Sequence, residues 1–239
     1  LLQYHKFLAV LANLIYGFPS KKIAVIGVTG TNGKSTTVNL IAKILEESGQ
    51  KVGLMTTINY KIGDKEWLNS TRMTMAGRFQ LQKMLRKMVK AGCQYAVIET
   101  SSEGVMQNRH WGIHYDVAVM TNLTPEHIEA HGSFENYKKA KGKLFSVLND
   151  FPQKIVSGQK INKAIVVNLD DEHWQYYLNF VADKKYAYGL KEYGFPENVT
   201  YIKPTNYKLF IDKTKFVLKD VDFTTNLIGE FNIYNCLAA

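Results

Sequence analysis

Cysteine is nearly missing from this chain, and so are long hydrophobic runs. The two cysteines, Cys93 and Cys236, lie far apart in sequence and suggest no disulfide framework. No apolar run approaches the roughly 18 residues that mark a membrane-spanning helix. The sequence opens on Leu1, without a methionine and without signal-peptide architecture. A reducing cytoplasm is therefore the expected compartment, with no membrane among the partners. Acidic residues are the third shortage: 21 against 30 basic ones, a net charge of +9. That balance suits anionic ligands such as nucleotides. The lysines are spread rather than blocked together, and no reader motif accompanies them, so nucleic acid is not an expected partner. Internal repeats and low-complexity tracts are absent too. What remains is 239 residues, 46% of them hydrophobic, enough to bury a substantial core in one large or two small domains.

The most informative stretch is Ile26-Gly27-Val28-Thr29-Gly30-Thr31-Asn32-Gly33-Lys34-Ser35-Thr36. An apolar run from Ile23 to Val28 reads as a buried parallel strand. It breaks at Gly30 and Gly33, then resumes as Val38, Ile41, Ile44 and Leu45 at helical spacing. Strand, glycine loop and helix start make a phosphate cradle. Glycines let backbone N–H groups turn toward an anion, and the helix start adds partial positive charge. Lys34 would reach the β- and γ-phosphates, and the Ser35 hydroxyl would ligate Mg²⁺. Val28 stands where the general pattern wants glycine, so the alternative is a tight turn with an ordinary surface lysine.

Before the loop, Tyr4, Phe7, Leu8, Leu11, Leu14 and Ile15 predict a helix within residues 1–20, closed by Gly17 and Pro19. After it, Lys51–Thr57 reads as a strand, and Gly63-Asp64 turns a hairpin between Ile58–Ile62 and Glu66–Leu68. Leu81, Met84, Leu85 and Met88 predict an amphipathic helix, with Arg78, Lys83, Arg86 and Lys87 outside. Tyr95–Ile98, Asp116–Met120 and Ala164–Val167 read as further buried strands, and Asp171–Val181 as a helix. Such alternation predicts an α/β fold, a P-loop type mainly parallel sheet with helices on both faces. Short β-rich runs over residues 184–228 predict a small antiparallel β subdomain near the C-terminus. The last residues, Asn235–Ala239, read as the opening turn of a helix unable to bury its apolar face, which suggests a piece of a longer protein.

Several residues could carry chemistry. Glu99 ends the strand Tyr95–Ile98, at the strand end where open α/β sheets bind ligands, and would hold Mg²⁺ or cap the following helix. His127 and His131, four apart, raise zinc, but Ile128 occupies the position where the zinc-protease pattern needs glutamate. Phe134, Tyr137, Lys141, Leu144, Phe145 and Leu148 form one helical stripe. Lys141 lies within it, costly unless it is paired, neutralised or able to snorkel outward.

The Thr29–Thr36 wording resembles the Mur ligase superfamily, ATP-dependent enzymes that build the peptide stem of bacterial cell walls. Other segments fall in that family's order: Glu99–Gly104 with Glu103 in place of the usual histidine, Asn122–Gly132, Ala140–Phe145, Asn168–Asp171 and Gly229–Asn235. The resemblance covers the central ATPase domain, residues 21–239, and is nearest to the tripeptide-synthetase branch. The family's N-terminal UDP-binding and C-terminal domains are not expected in this chain. It implies ATP and Mg²⁺ as cofactors. Gly30, Thr31, Asn32, Gly33, Lys34, Ser35 and Thr36, with Asn232 and Asn235, would bind nucleotide. Ser35, Glu99, His127 and a carbamylated Lys141 would hold the metals. Lys34, Lys141 and His127 would be catalytic, and Thr74, Ser101, Ser102 and Arg109 would meet the substrate. The implied reaction joins a UDP-muramyl-peptide carboxylate to an amino acid through an acyl phosphate, all partners being small molecules. The departures at Glu103, and at Met75 and Ala76 beside Thr74, leave two alternatives. One is another amide ligase of the folylpolyglutamate-synthase kind; the other is a non-ligase P-loop NTPase module that regulates a partner.

Overall fold

The computed structural model describes residues 2–126, 128–194 and 197–239. Helix α1 (Leu2–Tyr16) stops at Gly17, and a 3-10 turn (Pro19–Lys22) leads into β1 (Ala24–Thr29), buried at every position. Helix α2 (Lys34–Glu47) follows, then β2 (Val52–Met55), β3 (Asn59–Ile62) and β4 (Lys65–Leu68). Next come α3 (Arg78–Lys90), β5 (Tyr95–Glu99), α4 (Ser102–Met106), β6 (Val117–Met120), α5 (Ile128–His131) and α6 (Phe134–Ser146). The remainder comprises β7 (Lys154–Val156), β8 (Gln159–Ile161), β9 (Ala164–Asn168), α7 (Trp174–Leu178), β10 (Lys184–Tyr188), β11 (Val199–Ile202), β12 (Asn206–Leu209), β13 (Thr214–Leu218), β14 (Val221–Thr225) and α8 (Glu230–Ala238).

Nine strands form the main sheet in the order β11-β10-β9-β6-β1-β5-β2-β3-β4. All pairs from β11 to β2 are parallel, and the β3–β4 hairpin closes one edge antiparallel. Strand β1 stands at the centre, so the glycine loop leaves the sheet between the ends of β5 and β6. One face packs Leu81, Met84, Leu85 and Met88 of α3 and Leu144 and Phe145 of α6. The other packs Val38 and Ile41 of α2 and Ile233 and Leu237 of α8. Both faces are covered by helices, as strands buried on two sides require.

Three expectations need correction. Residues 184–228 are not one antiparallel unit: β10 and β11 extend the main sheet in parallel, and only β12–β14 form the small antiparallel sheet. The connection 189–198 is shorter than the dozen or so residues that usually mark a parallel crossover, so its strands read like hairpin strands. Helix α7 spans only Trp174–Leu178, because the Asp171 carboxylate accepts the His173 N–H and holds the preceding residues in a turn. The terminal helix starts earlier than expected and does bury its apolar side, with Ile233 fully buried and Leu237 and Ala238 nearly so. The helix expected within residues 1–20 is α1, and it turns its small residues inward. Ala9, Ala12 and Asn13 are buried while Tyr4, Phe7, Leu14 and Ile15 stay exposed, because alanines allow the helix to approach its neighbours closely.

At the end of the sheet opposite the glycine loop, Asp116 is fully buried and gathers two lysines. Its carboxylate lies 2.5 Å from Lys154 Nζ and 3.0 Å from Lys163 Nζ, and it accepts the Val25 N–H at 2.8 Å. Lys154 also donates to the carbonyls of Ser20, Ile23 and His114, so the hairpin β7–β8 is fastened to the start of β1. The His114 ring stacks on Phe151 with centroids 3.5 Å apart. Burial, and then the charges of Lys154, Lys21 and Lys163, push its pKa down to about 4. Unfolded, this imidazole would titrate near its ordinary 6.5, so between those values the unfolded chain binds more protons. The resulting stability is complete above pH 6.5 and is lost as pH falls toward 4. His114→Phe keeps the stack and removes the titration. Melting temperature measured against pH should therefore fall less steeply in the variant, by about one bound proton per molecule. Parallel curves for variant and wild type would contradict this.

Candidate functional site

The loop between β1 and α2 is built on two glycines in backbone conformations that other residues rarely adopt. Gly30 has φ +150°, and a Cβ there would sit 1.8 Å from Thr121 Oγ1. Gly33 has φ +80°, and its Cβ would sit 2.2 Å from Asn235 Oδ1. The loop after β6 holds this backbone in place. Thr121 Oγ1 donates to Asn32 O at 2.7 Å, Thr31 N–H to Asn122 O at 2.8 Å, and Asn32 N–H to Asn122 Oδ1 at 2.9 Å.

Four predicted side chains converge here. Lys34 curls back and donates to Thr31 O at 2.7 Å, its pKa lowered by burial against the opposing pull of Glu99 and Glu126. Ser35 Oγ donates to Glu99 Oε2 at 2.6 Å, and Thr57 N–H reaches the same oxygen at 2.8 Å. Glu99 is almost fully buried. Lys141 is 2% exposed, so it does not snorkel. Its Nζ donates to Gly30 O at 2.6 Å and lies 4.3 Å from the centre of the Tyr137 ring. Burial first, then the charge of Lys34, holds its pKa well below the ordinary value. Thr36 sits half-buried in the first turn of α2. His127 lies outside the described residues.

No group of three metal-ligating side chains occurs among the described residues. One buried carboxylate beside one hydroxyl is nonetheless a set that suits Mg²⁺, which binds through one or two carboxylates and completes its shell with phosphate oxygens and water.

The four residues expected to meet substrate surround α4. Ser101 caps that helix by accepting the Gly104 N–H at 3.1 Å, so part of its bonding capacity is structural. Ser102 Oγ lies 3.1 Å from Nε2 of the buried His131. Arg109 donates to Gln107 Oε1 from Nε and Nη2, at 3.1 and 2.8 Å, and to the carbonyl of Met75. Thr74, half-buried, precedes that methionine.

On the other side of the loop a cavity of about 620 Å³ opens between the ends of β6, β9 and α8. Asn235 lines it. Asn232 does not: its amide donates to Ile228 O and accepts from Asn235 Nδ2, so it braces Asn235 from behind. The residues that line the cavity beside Asn235 are Phe231 and Tyr234, and Tyr234 donates to Asp170 Oδ2 at 2.7 Å. The sequence reading passed over both rings. Their spacing was the available signal, since residues 231, 234 and 235 share a helix face.

One family model, the Mur ligase middle domain, matches residues 28–239, which hold the whole of this site. The chain belongs to the Mur ligase family. Over 240 residues it is 35% identical to a UDP-N-acetylmuramyl-tripeptide synthetase of Roseiflexus sp., covering 97% of this chain and 46% of that one. It is 38% identical over 236 residues to a UDP-N-acetylmuramoyl-L-alanyl-D-glutamate–2,6-diaminopimelate ligase of Bacillus cereus, covering 97% and 45%. A solved ligase of the latter kind superimposes with a TM-score of 0.73 at 30% identity, over 91% of this chain and 42% of that one. A Mur ligase of Thermotoga maritima, solved with ADP, shares the fold at 18% identity and TM-score 0.63, over 99% and 47%. This Mur ligase chain thus spans just under half the length of the relatives it matches.

The glycine loop gives a direct test. Gly30→Ala places a methyl group against Thr121 in backbone that L-residues rarely adopt, which should cost about 1–3 kcal/mol. The denaturant midpoint should fall accordingly, and nucleotide affinity with it. A variant as stable as wild type would show that the loop does not hold this conformation.

Proposed function

We propose that this chain is the nucleotide-binding centre of an ATP-dependent carboxylate–amine ligase of the cytoplasm, which adds an amino acid to a UDP-muramyl-peptide. The observation that carries the reading is the meeting of Lys34, Lys141 and the Ser35–Glu99 pair on one glycine loop. The names of the relatives and the ADP of the Thermotoga maritima ligase support the choice of reaction and nucleotide.

In this reading the backbone N–H groups of residues 30–36 hold the phosphates, and Lys34 leaves Thr31 O to neutralise the transferring γ-phosphoryl group. Ser35 and Glu99 hold one Mg²⁺, with His127 and Lys141 serving a second. The metal supplies charge neutralisation for the phosphate oxygens. Asn235, Phe231 and Tyr234 form the cavity wall for the base, and an amide can pair with an adenine edge as donor and acceptor. Thr74, Ser101, Ser102 and Arg109 position the carboxylate that accepts the phosphoryl group. An amine then attacks the acyl phosphate, the C–N bond forms and phosphate leaves.

Lys141 enters as a carbamate. A buried amine with a depressed pKa is neutral enough to attack CO₂, forming an N–C bond and releasing one proton. The product reverses the sign of the group, from a cation that would repel Mg²⁺ to an oxygen anion that attracts it.

Two variants test the site in the full-length enzyme. Lys34→Ala should abolish turnover and weaken Mg²⁺-nucleotide binding while the melting temperature stays near wild type; unchanged affinity and turnover would refute the phosphate loop. Lys141→Ala should cut ligation by about 10²-fold or more, the scale of one lost electrostatic group, and acetate should restore part of it by filling the vacated anion site. Near-wild-type activity in Lys141→Ala would refute the carbamate. Nucleotide turnover that needs both a carboxylate acceptor and an amine excludes a regulatory NTPase.

A further inference from the structure

Helices α1 and α3 pack side by side, and an open hollow of about 490 Å³ lies between them. Its two walls differ in chemistry. Leu14 and Ile15 of α1 form one wall, 58% and 60% exposed, at the end of an exposed apolar stripe that includes Tyr4 and Phe7. The other wall is Lys83, Arg86, Lys87 and Lys90 of α3. Their spacing puts the four cations on one helix face, opposite the stripe that α3 buries in the core. Among the described residues none of the four forms a salt bridge. Neither helix carries an acid, since residues 1–45 and 67–98 contain no aspartate or glutamate. Lys87 also borders a second hollow of about 420 Å³, where Lys51 and Lys65 add charge, Trp67 adds a partly exposed ring, and Asp64 is the one acid in the lining. No residue of this surface belongs to the nucleotide site described above.

Contiguous exposed apolar side chains mark a surface that something covers, and the cations beside them state the charge of the cover. A nucleic acid would meet the lysines but has no use for the apolar wall. A flat bilayer does not enter a hollow between two helices. A second copy, at a net charge of +9, brings chiefly more cations. We propose that the α1–α3 groove docks an acidic amphipathic helix of a partner protein. Leucine- or phenylalanine-type side chains of that helix pack on Leu14 and Ile15, and its carboxylates meet the cations of α3. This is the helix-in-groove mode of recognition, in which apolar anchors recur at helical spacing. The stripe from Lys83 to Lys90 rises about 10 Å at 1.5 Å per residue, which two turns of an acidic helix match. The apolar contact supplies most of the affinity, and the charges set orientation and speed of encounter. The proposal is independent of the ligase reading and needs neither nucleotide nor metal.

The test pans a phage-displayed library of random peptides on the full-length protein, with Lys83→Glu/Lys90→Glu as the counter-target. Enriched peptides are then synthesised, and their Kd is measured by fluorescence anisotropy. Peptides that carry Asp or Glu beside Leu or Phe at helical spacing are expected. Their Kd should rise about tenfold in Lys83→Glu/Lys90→Glu, the scale of two exposed charge pairs reversed. It should rise as far in Leu14→Ser/Ile15→Ser, and binding should weaken as salt is added. Melting temperature and ADP affinity should stay near wild type in both variants. No enrichment, enriched peptides without acids, or equal Kd for wild type and both variants would overturn the proposal. Charge-dependent sedimentation with phosphatidylglycerol vesicles in the absence of peptide binding would overturn it too, assigning the face to a membrane surface. Peptides that bind the 239-residue chain but not the full-length protein would overturn the external partner and assign the groove to another part of the same polypeptide.

Discussion

The site depends on one set of backbone contacts, those that hold residues 30–33 against the loop after β6. Thr121 and Asn122 together bind Thr31 and Asn32, and the close approach leaves no room for a Cβ at Gly30. Because β1 lies between β5 and β6, that contact also sets Ser35 against Glu99 on one side and opens the cavity on the other. Helix α6 closes the arrangement from below by sending Lys141 to the Gly30 carbonyl. A parallel sheet with β1 in its centre is therefore what the chemistry requires of the fold: strand ends bring together residues more than sixty positions apart.

Charge is distributed unevenly around this frame. At the end of the sheet remote from the loop, Asp116 shares two lysines, so a buried carboxylate is fully engaged. Toward the loop the balance reverses, with Lys34 and Lys141 meeting carbonyl oxygens in place of carboxylates. Arg78 and Arg109 extend the same surplus past α4. A buried lysine that rests on a carbonyl is poorly neutralised: an incoming phosphate supplies what Lys34 lacks, and in the ligase reading conversion to a carbamate removes the positive charge of Lys141. The net charge of +9 thus has a local meaning that composition alone does not carry.

The sequence by itself determined the glycine loop, the alternation of buried strands with helices and the inward position of Lys141. Each of these is a local pattern: a loop spelled in eleven consecutive residues, a period of two or of 3.6, a lysine in phase with Tyr137, Leu144 and Phe145. Only the tertiary structure decided strand order, and so the membership of β10 and β11 in the main sheet, because a short strand carries no mark of its partner. It also divided the amides of α8, turning Asn235 to the cavity and Asn232 into a brace, since both lie on buried positions of one short helix. The same holds for α1, whose larger apolar residues face outward because Ala9 and Ala12 permit a closer fit, and for Arg78, which reads as a surface residue until α4 brings Gln107 beside it. Periodicity reports which face of an element is apolar; what that face meets is fixed by contacts between residues distant in the chain.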